Sequence, residues 1–279
     1  MKSNASPLCF ALTVLALFSG LTPCLAFDQN HRLFSQELRK YAGPQGVHYA
    51  KWKLKPQRLT RYLQSLSALT EDEYDTFSPA DKEAFWLDVY ESFQIKIILD
   101  HYPIDGQLDQ YPRHSLRQIP GHFDKLKTNV MGKDLSLYEI EHDHIRHLQD
   151  VRVHFSLACG ANGCCPTPRF AYTGKNLDAE LDKAQVRFLA KKKNIELDTT
   201  NKIVYVTQIF KWFPLDFAAG AGFTTFPFPP PTDDYIIMTY LARNGAQDAR
   251  SALGPEEERA KYKVVYRPFD WTLNDADAD

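Results

Sequence analysis

Between positions 59 and 66 the apolar residues Leu59, Tyr62, Leu63 and Leu66 recur at i, i+3, i+4 and i+7, which predicts an amphipathic helix after Pro56. A helix over residues 28–41 is predicted ahead of it, so the N-terminal third reads as mainly helical. Ser78-Pro79-Ala80-Asp81 is a helix-start signal: a hydroxyl cap, proline at the first helical position and an acid facing the dipole. The helix it opens carries Trp86, Val89, Tyr90, Phe93 and Ile97 inward. It stops at His101-Tyr102-Pro103, because proline disfavours helical geometry in the residue before it. Val130-Met131-Gly132-Lys133 reads as a turn between two short strands. Ser136-Leu137-Tyr138-Glu139 reads as a capping box opening a helix that runs to about Leu148.

At residue 151 the period changes to two. Val151, Val153, Phe155 and Leu157 alternate with Arg152, His154, Ser156 and Ala158, which predicts a strand leading into Cys159-Gly160. A helix follows with Leu177, Leu181, Ala184 and Phe188 on one face, then a strand over residues 202–206. Residues 218–231, rich in Gly, Pro and Phe, have no periodicity and predict a long loop or lid. A short helix over 235–241 and a strand over 263–266 close the chain. This mixture is an α+β class: one mixed domain over residues 78–279 with a small, mainly antiparallel sheet, preceded by a helical extension over 27–77.

The first 26 residues stand apart. The apolar run from Leu8 to Phe18 has the length of a secretory signal core and is too short to span a bilayer. Cys24-Leu25-Ala26 offers small residues to a signal peptidase, so cleavage is expected after Ala26, with export to the periplasm or medium. A lipoprotein reading through Cys24 ranks second, because Pro23 stands where a small residue is needed. About 250 residues remain, enough for a substantial core, and no later stretch approaches a membrane span. A formal net charge of −2 and 44% hydrophobic residues describe an ordinary globular chain with no basic excess for a nucleic acid partner. Lys191-Lys192-Lys193 and the acidic C-terminal residues read as solvated ends.

Beyond the signal peptide the cysteines are Cys159, Cys164 and Cys165, all in one Gly-rich loop. Two readings compete. One is a staple joining Cys159 to Cys164 or Cys165. The other makes Cys159 a nucleophile, activated where backbone N–H groups face a reacting oxygen. His154 is the nearest candidate base in sequence. An unbroken strand would set it on the face opposite Cys159, so a turn beginning before Cys159 is needed to bring them together. Glu141 falls among Leu137, Tyr138, Ile140, Ile145 and Leu148 on the inward side of its helix, where a carboxylate requires a partner. His142 is adjacent, and Arg146 or Arg152 would make a structural ion pair instead. His142, His144 and His147 lack the spacing of a metal site. No phosphate loop, Gly-x-Ser-x-Gly elbow or dinucleotide fingerprint occurs, so no cofactor is expected.

Lys82-Glu83-Ala84-Phe85-Trp86-Leu87-Asp88-Val89-Tyr90, Leu135-Ser136-Leu137-Tyr138-Glu139-Ile140-Glu141-His142 and Arg152-Val153-His154-Phe155-Ser156-Leu157-Ala158-Cys159-Gly160-Ala161 resemble, in order, the family called domain of unknown function 547. Ile209-Phe210-Lys211-Trp212-Phe213 and Tyr266-Arg267-Pro268-Phe269-Asp270-Trp271-Thr272-Leu273-Asn274 extend the resemblance. The resemblance implies a fold and little chemistry. The family's helix usually reads Trp-x-Asn-x-Tyr-Asn, whereas Asp88 and Glu91 stand here, acids in place of amides. The family's second cysteine is normally followed directly by proline; here Cys165 intervenes. A histidine, a carboxylate and a cysteine in an exported domain are similar to what papain-like and transglutaminase-like hydrolases use, by analogy and without a matched motif. The expectation is a thiol-dependent hydrolase or acyl transferase with Cys159 as nucleophile, His154 or His142 as base and Glu141 orienting the base. The alternative is a non-catalytic binding domain stapled by a disulfide, with the aromatic segment 213–228 as its contact surface for a partner.

Overall fold

The computed structural model describes residues 26–225 and 230–278. The expected signal peptide therefore lies outside the described residues except for Ala26. The chain is α+β, built around the helix Pro79–His101. Ser78 caps it as the motif dictates, its Oγ accepting the Asp81 N–H at 3.1 Å. From Ala84 to Leu99 every residue except Lys96 is buried, so this helix is enclosed on all sides rather than along one stripe. The inward polar residues Asp88, Glu91 and Gln94 are a consequence of that enclosure.

Helix Gln57–Ala68 packs against it, and helix Arg32–Tyr41 packs on Gln57–Ala68 in turn. Phe34, Leu38, Trp52 and Leu66 share one apolar core with Phe85, Leu87, Ile98 and, from the far end of the chain, Leu273. The hairpin of Lys127–Val130 and Lys133–Ser136 forms around the expected turn, with Met131 and Gly132 both at positive φ. A second core lies under a three-stranded sheet. Ile195–Asp198 pairs antiparallel with Ile203–Thr207, which pairs parallel with Lys263–Arg267. Helices Leu177–Leu189 and Asp233–Asn244 contribute Phe188, Ile237 and Tyr240 to this core, with Phe155, Phe210 and Phe217.

Two segments depart from expectation. Residues 151–157 are not a strand: Val151–Phe155 is a 3₁₀ helix, with Ser156 N–H donating to Val153 O at 2.9 Å. The residue types alternate there but the burial does not, since His154 and Ser156 are as enclosed as Val153 and Phe155. Within the expected loop 218–231, Asp216–Gly220 closes a helical turn that buries Phe217 and Ala218, and residues 226–229 lie outside the described residues.

Candidate active site

The 3₁₀ helix and the cysteine loop meet the two preceding helices around a cavity of about 360 Å³. Its polar lining comes from Tyr90, Arg117, Glu141 and His154, with Cys159 and Cys164 beside them; Phe123, Trp212, Phe213 and Trp271 wall it. Each polar group is placed by a local device. The Ser136 capping box is complete: Ser136 Oγ accepts the Glu139 N–H, and the Glu139 carboxylate accepts the Ser136 N–H at 2.7 Å. The helix it starts continues as a π-helix over Ile140–Ile145, a geometry that re-aims side chains and recurs at functional sites. Ile140 and Ile145 go into the core and Glu141 lines the cavity.

The Glu141 carboxylate has no hydrogen-bond or ion-pair partner among the described residues; only its main-chain oxygen is engaged, accepting the Arg146 N–H. The expected arginines are engaged elsewhere: Arg152 with Asp150, Asp178 and Asp182, and Arg146 with Asp216. Burial pushes the Glu141 carboxyl up to about 7, outweighing the through-space attraction of Arg146 and assisted by repulsion from Asp216. The group meets its desolvation by holding a proton instead of gaining a counter-ion.

His154 Nε2 lies 2.8 Å from Asp216 Oδ2. The same carboxylate accepts Arg146 Nε at 2.6 Å and Nη2 at 2.8 Å. Burial alone would raise the Asp216 pKa, but hydrogen bonds from Arg146 and His154 hold it well below the usual carboxylate range. An ionised Asp216 accepts, so Nε2 carries a proton and donates it to the carboxylate. The ring stacks on Phe213 with centroids 4.4 Å apart.

Arg117 is fixed by Nη2 donating to Tyr111 Oη at 2.9 Å. Its guanidinium lies 5.0 Å from the Tyr111 ring centre, 5.5 Å from that of Phe123 and 5.2 Å from that of Trp271. No carboxylate pairs with it among the described residues, so a cation stands uncompensated at the cavity.

Cys159 and Cys164 form a disulfide. Closed, that bond leaves no thiolate at Cys159. The loop is held by Gln94, whose Nε2 donates to Cys159 O at 2.6 Å, and Gly160 follows at φ +82°. A Cβ at Gly160 would stand 2.7 Å from Ile98 Cδ1 and 2.8 Å from Gln94 Nε2, so the close approach requires glycine. Cys165 keeps a buried thiol, pushed up to about 12 by burial and then by Glu91.

Of the residues singled out in the sequence, Glu141, His154 and Cys159 therefore share one cavity. His154 joins Cys159 because the chain turns between them instead of running on as a strand. His142 is not among the lining residues; it stacks on Tyr138 with centroids 3.9 Å apart. Arg117, Asp216 and Trp271 escaped the sequence reading. They lie 37, 62 and 117 positions from His154; Trp271 falls within a stretch of family resemblance, but nothing local joins any of the three to His154.

Residues 74–189 match the model of a family described as a protein of unknown function, DUF547. That stretch contains Tyr90, Arg117, Glu141, His154 and the disulfide; Trp212, Phe213, Asp216 and Trp271 lie beyond it. No curated protein and no solved structure matches the chain.

Proposed function

We propose that this member of the DUF547 family is an exported hydrolase working by acid–base chemistry, with Glu141 as its proton-transfer group. The observation that carries the reading is an unpaired carboxyl held near neutrality by burial and opening onto a cavity. A group half ionised near pH 7 can take a proton from water or give one to a leaving group. His154, oriented by Asp216, is a second proton carrier, and Arg117 supplies positive charge where negative charge develops on the substrate. The aromatic walls suit a substrate with a ring or a flat apolar part. Export is supported by the apolar N-terminal segment and by a disulfide, a bond that persists in oxidising compartments.

The test is a panel of chromogenic esters, amides and glycosides assayed with the wild type and Glu141→Gln. The expected result is a loss of kcat of about 10²–10⁴-fold without a lowered melting temperature, and the same wild-type rate with or without reductant. Turnover that appears only after reduction and vanishes in Cys159→Ser would replace this reading with the thiol-dependent one. The closed disulfide favours a second reading, a stapled binding domain. Under it the panel gives no turnover, while ligands quench Trp212 and Trp271 equally in both proteins.

A further inference from the structure

A second cavity, about 600 Å³, shares Cys164 with the first but has a different character. Its floor is apolar and enclosed: Phe155, Cys165, Tyr172 and Phe188 are each at most 3% exposed. Its mouth carries four exposed cations, Arg169, Arg187, Lys191 and Lys193. No acidic residue lines it.

These cations have no counter-ions. Among the described residues none of the four forms an ion pair, while Arg146, Arg152 and Arg267 all do. Their hydrogen bonds end on backbone oxygens: Arg169 on Arg39 O at 3.1 Å, Arg187 on Lys183 O at 3.2 Å and Lys193 on Asn162 O at 3.0 Å. General basicity does not explain the cluster, since the whole chain has a formal net charge of −2. Compensation of the dipole at the end of helix Leu177–Leu189 accounts for Arg187 and Lys191 at most, not for Arg169 or Lys193. Gathering like charges around one concavity is unfavourable unless something anionic sits among them.

We propose that this cavity binds an amphipathic anion, a chain or ring seated on the aromatic floor with a carboxylate or phosphate held by the four cations. The volume lies within the range of small-molecule pockets. Such a head group can belong to a free metabolite or to a lipid, and the test separates the two. Calorimetric titration of the purified protein with monomeric dodecyl phosphate should give saturable binding that weakens with added salt. Arg187→Glu combined with Lys191→Glu should weaken it at least tenfold without moving the melting temperature, and Arg187→Lys with Lys191→Arg should restore it. Binding of inorganic phosphate or dodecyl maltoside as tight as that of dodecyl phosphate would overturn the proposal, as would an unchanged affinity in the charge-reversed variant. Sedimentation with phosphatidylglycerol vesicles in the absence of dodecyl phosphate binding would also overturn it, assigning the cations to a membrane surface.

Discussion

Asp88 and Glu91 are almost wholly shielded from water on the central helix. Burial raises both carboxyls well above the usual range, with Glu91 adding to the effect on Asp88. Asp88 Oδ1 accepts the Tyr172 N–H at 3.0 Å, and Oδ2 faces His31 Nδ1 at 3.3 Å. His31 is itself lowered to about 4 by burial. Burial disfavours charge on both partners; Oδ2 makes no hydrogen bond, because His31 Nδ1 is engaged with Tyr62 Oη at 2.7 Å. A protonated acid offers one donor and one acceptor, as an amide does. This explains how acids can stand where the resemblance leads one to expect asparagine. Asp88→Asn is therefore expected to change the unfolding free energy by less than about 1 kcal/mol at pH 6. Asp88→Ala, which strands the buried Tyr172 N–H, should lose about 1–3 kcal/mol in urea titration. Equal losses in both variants would show that the charge, not the hydrogen bond, matters there.

At the scale of elements, the position of Glu141 depends on how its helix begins. The Lys127–Ser136 hairpin delivers Ser136 to the cap, and Glu139 is held well down, to about 2, chiefly by the Ser136 N–H and hydroxyl. Ser136→Ala should destabilise the protein by about 1 kcal/mol. Because the π-helix begins one residue after Glu139, it should also lower kcat more than it raises KM. A destabilised variant with full kcat would detach the cap from the site. This device was legible in the sequence because all its parts lie within four residues, as was the Ser78-Pro79 start. The segment 151–157 was misread for a related reason. Alternation of residue type signals a strand only when the polar face meets water. Here Arg152 is drawn to Asp150, Asp178 and Asp182, while His154 is buried against Phe213 and bonded to Asp216. Apart from Asp150, those partners come from distant parts of the chain. The same dependence on long-range contacts hid Arg117 and Trp271 from the sequence reading, whereas Glu141 stood out as an acid on an apolar face.

Over the whole molecule, two kinds of buried group set opposing pH dependences. His31, lowered to about 4, and His122, lowered to about 3 by burial and then Arg117, bind fewer protons folded than unfolded up to the ordinary histidine value of 6.5. Their contribution to stability rises with pH through that range and is complete above it. Glu83 and Glu141, both raised from 4.5 to about 7 by burial, bind more protons folded than unfolded. Their contribution is fully present below 4.5 and is lost as pH rises through 7. Asp88 and Glu91 act in the same direction and extend the loss further upward. Between 4.5 and 6.5 the two histidines offset only part of the loss from the four carboxyls, so stability already falls with pH; above 6.5 only the losses remain. The melting temperature is therefore expected to peak near pH 4.5 and fall from there towards pH 8. Glu141 contributes about 1 kcal/mol to the part of that fall above pH 6. Glu141→Gln should flatten the fall, by that amount above pH 6, while leaving the curve below pH 4.5 unchanged. A wild-type melting temperature that climbs from pH 6 to pH 8 would mean that water or a bound cation reaches these carboxyls. The acid–base role of Glu141 would then lose its physical basis, because a solvated glutamate returns to its ordinary pKa and holds no proton to transfer at neutrality.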